Sequence, residues 1–412
     1  MLCTAESGTA RLTVFSAGQT LIEEDLSHCT HPDFLAIRSL AHNADLGFTN
    51  FEGTVRAGEA TKIVNLHGIE PELLDFLPWM GFKLLSLANN HAFDHGARGL
   101  QATVDEVRRR DLAGAGAGCN LSEAQKPAYL NTPKGRIALI AMTSTNALPE
   151  IALASDSSTS EEGRPGVNPL RHESLVQTVL DDEWEYLKRL AERIGLTVRN
   201  KRDVACGWQV DTDGILHFAE EARFLAGEGY AQQVKLNQAD RARNLKQISD
   251  AAKKADYVLV SLHDHLWAYH WQDVLPWKRA FAKACIDAGA DAFLGHGVPA
   301  LSGIEIYENH PIFYGLGNFV FHETPGKWHV QEVWESVGAL IAFDRGQLAS
   351  VQLVPVVLGD KAGHCDGEYD ARRYPFMARG DRARGILERV ERLSAPFGTR
   401  MRIEEGIGVL RL

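Results

Sequence analysis

The chain has 412 residues, 45% of them hydrophobic, and its 43 basic against 54 acidic side chains give a formal charge of −11. An acidic chain without a basic block is a poor binder of nucleic acid or an anionic membrane surface, and no apolar run approaches the ~18–20 residues of a membrane span. Six scattered cysteines without a CxxC pair exclude a disulfide framework and a thiolate zinc site, and an N-terminus (residues 1–11) without a secretory pattern makes the reducing cytoplasm the expected compartment.

In chain order, residues 12–17, 45–51 and 83–87 read as buried strands, followed by a helix over 97–110 and a strand over 136–142. Helices over 181–194 and 240–254 precede a strand over 257–262, a helix over 277–288 and a short strand over 292–295. The last third changes to strands at 303–307, 311–314, 339–343 and 348–357, joined by polar turns such as Glu308-Asn309-His310 and Asp344-Arg345-Gly346. Short apolar runs separated by helical patterns predict an α/β fold with a largely buried sheet. Residues 144–237 follow no repeat. Within them, 151–162 is rich in Ser, Thr and acids and reads as a mobile loop, and 164–169 reads as an ordered, turn-rich segment. The region reads as an insertion capping the functional edge of the sheet.

Polar residues concentrate just after the apolar strands, where α/β sheets build their sites. Ser16-Ala17-Gly18-Gln19 offers one neutral oxygen, and Thr49-Asn50-Phe51-Glu52-Gly53 places Asn50 and Glu52 on the same side of an extended segment. The segment from Leu85 runs into Asn89-Asn90-His91-Ala92-Phe93-Asp94-His95-Gly96, which is costly to bury without a purpose. Leu262-His263-Asp264-His265 and Gly295-His296-Gly297 follow two further strands. Imidazole, amide and carboxylate form a thiolate-free ligand set for a divalent cation, and His with Asp in one loop suits acid–base work.

At these residues the chain resembles the poly-γ-glutamate capsule-synthesis (CapA, PGA_cap) family. Asn50-Phe51-Glu52-Gly53 resembles its Asn-x-Glu-Gly segment, and Ala88-Asn89-Asn90-His91 through Asp94 and Gly96 its Ala-Asn-Asn-His-x-x-Asp-x-Gly signature. Gly295-His296, Gly303-Ile304-Glu305-Ile306-Tyr307 and the block from Pro311 to Gly315-Leu316-Gly317-Asn318-Phe319 are similar to its closing segments. The likeness covers roughly residues 12–321 outside the insertion. It implies a calcineurin-like metallophosphatase sandwich, two mixed sheets flanked by helices. The whole chain 1–412 would then form one domain with a cap at 144–237, and 303–360 a C-terminal β-hairpin part of the sandwich.

The departures bear on chemistry. Gln19 stands where most relatives carry a metal-binding Asp, Pro299 where a second ligand-type His is usual, and Asp264-His265-Leu266 follows His263 in place of Trp-Gly. A two-metal hydrolytic site is thereby weakened. The remaining set, Gln19, Asn50, Glu52, Asn90 and His263 with His91 and His296 nearby, suits one hard cation such as Ca²⁺ or Mg²⁺.

Three readings follow. A branch of CapA-like proteins encoded with lasso-peptide biosynthesis looks to act as a cytosolic epimerase at a C-terminal Trp, and this chain resembles that branch. On this reading, which needs no organic cofactor, His91, Asp94, His265 and His296 are acid–base residues inverting a peptide Cα, with Asp264 orienting them. The alternatives are metal-dependent hydrolysis of a phosphoester or of a peptide or γ-glutamyl amide, and a non-catalytic role in polymer biosynthesis. Trp267 and Trp271, in an aromatic run with Trp277, could stack on an aromatic residue of a peptide substrate. Arg164 or Arg171 could grip its carboxylate. The glycine-rich run 113–118 follows a helix and reads as a close-packed turn in preference to a phosphate loop, and His67 could reach the rim of the site.

Overall fold

The computed structural model describes residues 11–61, 66–144, 152–157, 163–206, 214–218, 222–322, 330–360, 362–364 and 374–412. The loop predicted over 151–162 therefore lies partly outside the described residues.

Two mixed sheets face each other, flanked by helices. The larger has ten strands, with Arg11–Leu21 at its centre between Leu46–Phe51 (parallel) and Glu335–Asp344 (antiparallel). Phe82–Ser86 and Ala113–Ala115 extend one side, and Gln347–Gly359 continues the other. The second sheet runs Ile304–Tyr307, His310–Phe313, Ala292–His296, Tyr257–His263, Gly135–Thr143, Ala128–Thr132.

The two-residue period of a strand explains the layering. In Gly135–Thr143, Ile137, Leu139 and Ala141 join the core between the sheets, where Phe15, Phe48, Phe82 and Phe319 also lie. The alternate residues Ala138, Ile140 and Met142 join a second core with Ile248, Trp277 and Phe281, from helices Gln238–Ala252 and Pro276–Asp287. Tyr257 and Leu259, and likewise Ala292 and Leu294, face the inter-sheet core, whereas Val258, Val260 and Phe293 face the helices. Each fully buried Leu or Phe contributes about 1.5–3 kcal/mol, so the double burial of these central strands is the main force holding the sandwich.

The predicted strands and helices are present, most with ends moved by one to four residues. Among the helices without a counterpart in the sequence reading, Pro32–Asn43 and Gly380–Ser394 are the longest. The second was legible: Ala383, Ile386, Leu387 and Val390 are its buried residues, at helical spacing. The hairpins of 303–360 divide between the sheets, Ile304–Tyr307 with His310–Phe313 in one and Glu335–Asp344 with Gln347–Gly359 in the other. Their turns hold Glu308 and Asn309, and Arg345 and Gly346, at positive φ, as tight hairpins require. Residues 113–118 are a correction. They form two short strands, Ala113–Ala115 beside Phe82–Ser86 and Ala117–Gly118 beside Gly166–Val167. Gly116, at φ 99°, separates them, and a Cβ there would lie 2.6 Å from that of Ala88.

The described residues between 172 and 236 build a four-stranded sheet of their own, ordered Leu216–Phe218, Ala222–Ala226, His172–Val179, Ala231–Leu236, with helices Asp181–Arg193 and Leu196–Ala205. Leu236 ties this unit to the helix-side core beside Trp277.

Glu305 anchors helix Pro276–Asp287 to the hairpin beneath it. It accepts from Arg279 at 2.8 and 2.9 Å and from the Tyr314 hydroxyl at 2.7 Å, and pairs with Lys283 at 3.0 Å. Burial opposes its charge, but Arg279, Tyr314 and Lys283 outweigh it and bring the carboxyl down to about 2. The folded value lies below the unfolded ~4.3. The stabilisation is therefore full above about pH 4.3 and lost as pH falls through about 2. We expect Glu305→Gln to lower the unfolding free energy by about 1.5–3 kcal/mol at neutral pH. In urea unfolding the gap to wild type should close as the pH approaches 2; a gap independent of pH would contradict this.

Candidate functional site

The strand registers create two polar rows at the carboxyl ends of the two sheets. In the larger sheet Asn318, Gln19, Asn50 and Ser86 lie side by side. In the smaller, Thr143, His263 and His296 do so. His263 continues the parity of Tyr257 and Leu259, and His296 that of Ala292 and Leu294, so both imidazoles emerge toward the opposite sheet. Three contacts close the gap. The Asn50 amide lies 3.2 Å from His263 Nδ1, Gly297 N donates to Gln19 Oε1 at 2.9 Å, and the Phe48 and His296 rings lie 5.8 Å apart. Gln19 thus spends one lone pair clamping the sheets together.

Glu52, His263 and His265 each offer a ligand atom within 4.8 Å of the others. His263 Nε2 is 3.6 Å from Glu52 Oε1 and 3.1 Å from His265 Nε2. Nearby, Asn50 Oδ1 and both ring nitrogens of His296 are buried without a hydrogen-bond partner among the described residues. Rotating the Asn50 amide by half a turn would let His263 Nδ1–H donate to that oxygen and free Nε2 for a cation, the usual outer-shell support of a metal-bound imidazole. Burial, then the neighbouring His265, His296, His91 and Lys278, holds His263 well below its ordinary range. Burial, then Lys278, lowers His296 to about 3. Both rings are therefore neutral near pH 7, the form that ligates. The residues present fit one divalent cation. His265, to which the sequence assigned proton transfer, stands among the donors.

A second group converges from the larger sheet. Asn89 donates to Phe51 O at 2.7 Å and accepts from His91 N at 3.0 Å, fixing the loop after Phe82–Ser86. His91 Nδ1 is 2.8 Å from Asp94 Oδ2, which also accepts from His67 N at 2.9 Å. The His67 ring meets that of His91 edge to face at 4.4 Å, and its Nδ1 lies 3.0 Å from Glu23 Oε1. Glu23 N in turn donates to His322 Nδ1 at 2.9 Å. Asn90 is buried on the same loop.

Asp264 turns away from both imidazole groups, toward the helices. Its Oδ1 accepts from Ser144 Oγ at 2.9 Å and Leu266 N at 2.8 Å, and its Oδ2 pairs with Lys278 at 2.6 Å. Trp267 donates to Asp264 O at 3.3 Å and continues a ladder of rings from His263 through His265 to Trp271, with centroids 5.0, 5.3 and 5.9 Å apart. Trp277 is in the helix-side core. Arg164 donates to Leu153 O, and Arg171 spends two guanidinium nitrogens on Asp240 at 2.7 and 2.9 Å. The sequence reading gave no role to Lys278, Glu23, Ser144 or His322. Only Lys278 carried a signal, a lysine on a helix face otherwise buried through Trp277, Phe281 and Cys285.

Residues 13–323 match the family described as Bacterial capsule synthesis protein PGA_cap. The chain belongs to this family. PGA_cap relatives include the uncharacterized protein y4sH of Sinorhizobium fredii, 29% identical over 99% of this chain and 95% of that protein. The capsule biosynthesis protein CapA of Bacillus anthracis is 26% identical over 68% of this chain and 51% of its own length. The probable polyglutamine synthesis accessory protein Rv0574c of Mycobacterium tuberculosis is 25% identical over 87% of this chain and 74% of its own. Among the described residues, no helix of this PGA_cap member is long and apolar enough to cross a membrane.

Because apolar packing holds the sheets, Glu52→Ala and His263→Ala should stay folded while losing divalent-ion affinity by at least ~10-fold, the lower range seen even for outer-shell changes. Titration calorimetry with Mn²⁺ and Zn²⁺, alongside circular dichroism, checks this; unchanged affinity in both folded variants would remove these residues from the site.

Proposed function

We propose that this chain is a metal-assisted acid–base enzyme acting on a peptide, an epimerase that inverts one Cα centre. The observation that carries the reading is a pair of opposed imidazoles, His91 on Asp94 from one sheet and His296 from the other, with His263 and His265 beside them as cation donors. Epimerisation needs two such groups. One removes the Cα proton, leaving its electron pair delocalised into the adjoining carbonyl, and the other delivers a proton to the opposite face. His91 is suited to the first task because Asp94 holds its Nδ1, which fixes the tautomer and directs proton transfer to Nε2. Asp94, braced by His67 N, keeps that ring oriented.

Glu52, His263 and His265 would hold one divalent cation, which when bound supplies positive charge to a developing enolate-like oxygen. Two imidazoles with one carboxylate suit a metal of the zinc or manganese kind as well as the Mg²⁺ or Ca²⁺ expected from sequence. The Trp267–Trp271 ladder beside His265 supports a peptide with an aromatic residue near the reacting carbon, a C-terminal Trp as in lasso-type precursors being the candidate. We place the enzyme in the cytoplasm. One relative's name, with its polyglutamine synthesis, is compatible with a polyamide ligand. A second reading, single-metal hydrolysis of a phosphoester or amide, is favoured by the Glu52–His263–His265 cluster itself, since the same donor set can activate water.

Incubation of the enzyme and divalent metal in D₂O with a peptide ending in Trp separates the two. Epimerisation adds ~1 Da at one residue, inverts it on chiral amino-acid analysis and leaves chain length intact, because the returned proton comes from a group equilibrated with solvent. Fragments or free phosphate without deuterium would overturn the epimerase reading.

A further inference from the structure

Behind the histidines, on the helix side of the six-stranded sheet, lies an ion pair that the acid–base chemistry does not use. Lys278 and Asp264 are both buried, 2.6 Å apart. Asp264 is a hub for three strand ends. Its backbone N donates to His296 O at 3.0 Å, and its carboxylate accepts from Ser144 just beyond Gly135–Thr143. Its own strand end is tied to the same neighbour, with Ser144 N and Thr143 Oγ1 donating to His263 O at 3.0 and 3.1 Å. The carboxylate then turns forward to hold Leu266 N, so the backbone on both sides of His265 is pinned. The approach at Gly297 is equally close, since a Cβ there would lie 2.2 Å from Asp264 O.

Two charges are expensive to bury, and a hydrophobic pair of similar volume is often as stable or more so. Such a pair is worth retaining where donors must be held within about half an ångström, as in a metal site. We propose that Lys278 is a positioning residue for the divalent-cation site: it locks the Asp264 carboxylate, and Asp264 locks the turn that aims His263 and His265 at Glu52. This rests on the cation-site reading and not on the reaction catalysed there. Lys278 touches neither cation nor substrate; it acts through Asp264.

The test compares wild type with Lys278→Leu/Asp264→Asn, a double variant that leaves no unpaired charge and keeps an oxygen for Ser144 and Leu266 N. Lys278→Leu alone strands a buried carboxylate and can fail through misfolding, so the double variant decides. Co²⁺ is titrated into the metal-free proteins while its visible absorption is followed, and thermal unfolding without metal serves as the structural control. The proposal predicts unfolding close to wild type, Co²⁺ affinity reduced ~10–100-fold and a shifted visible band. A double variant that binds Co²⁺ with wild-type affinity and spectrum overturns it and leaves the cation site standing. A wild-type protein that binds no Co²⁺ overturns both.

Discussion

The architecture depends on how two apolar sheets stop. Between them the core is closed by Phe15, Phe48, Leu139 and Leu294, and at the carboxyl ends of the strands the same parity delivers Asn50, His263 and His296 in place of the next apolar residue. Buried polar groups in that position must satisfy one another or a ligand. The structure does both. Gln19 is satisfied by Gly297 across the gap, and Asn50 reaches His263, yet Asn50 Oδ1 and the His296 ring nitrogens are left without protein partners among the described residues. A site results because the sandwich is rigid and its rim is under-satisfied.

Charge shapes what this rim can hold. The donor cluster contains one carboxylate, Glu52, where a two-metal centre would need several. Burial above all keeps His263 and the neighbouring His296 neutral, with the positive Lys278 behind them adding to it, which favours ligation over ion pairing. Across the site, His91 is tied to Asp94 and His67 to Glu23, so the two banks of imidazole differ in kind: one is matched with carboxylates, the other gathers with Glu52 into a donor cluster. On the proposed reading, that asymmetry would let one pocket combine proton transfer with charge stabilisation.

Much of this was legible in the chain. Apolar runs ending in Asn50, His91, His263 and His296 mark both the strands and the rim where their polar ends converge, because a strand buried on both faces admits imidazole and carboxylate side chains most easily where it leaves the sheet. The alternation of Tyr257, Leu259 and His263 carried more than was drawn from it: it aims His263 at the opposite sheet and Asp264 at the helices, which is why the Asp264 side chain pairs with Lys278 and reaches the imidazoles only through the backbone turn. Other features had no local signal. The pairing of His67 with Glu23 spans 44 positions, and that of Arg171 with Asp240 spans 69, set by how the chain returns and not by any pattern around either residue. The four-stranded unit of 172–236 escaped because its strands are half-exposed and short of the continuous apolar runs that mark the central ones.

Glu52, His263 and His265 converge between the ends of the two sheets, a donor set for a single cation. Anomalous diffraction at the metal absorption edge from crystals grown with Mn²⁺ tests it most directly. One peak per chain is expected, within bonding distance of the Glu52 carboxylate and the His263 and His265 imidazoles. Two adjacent peaks, or a single peak at His91 and Asp94, would contradict it.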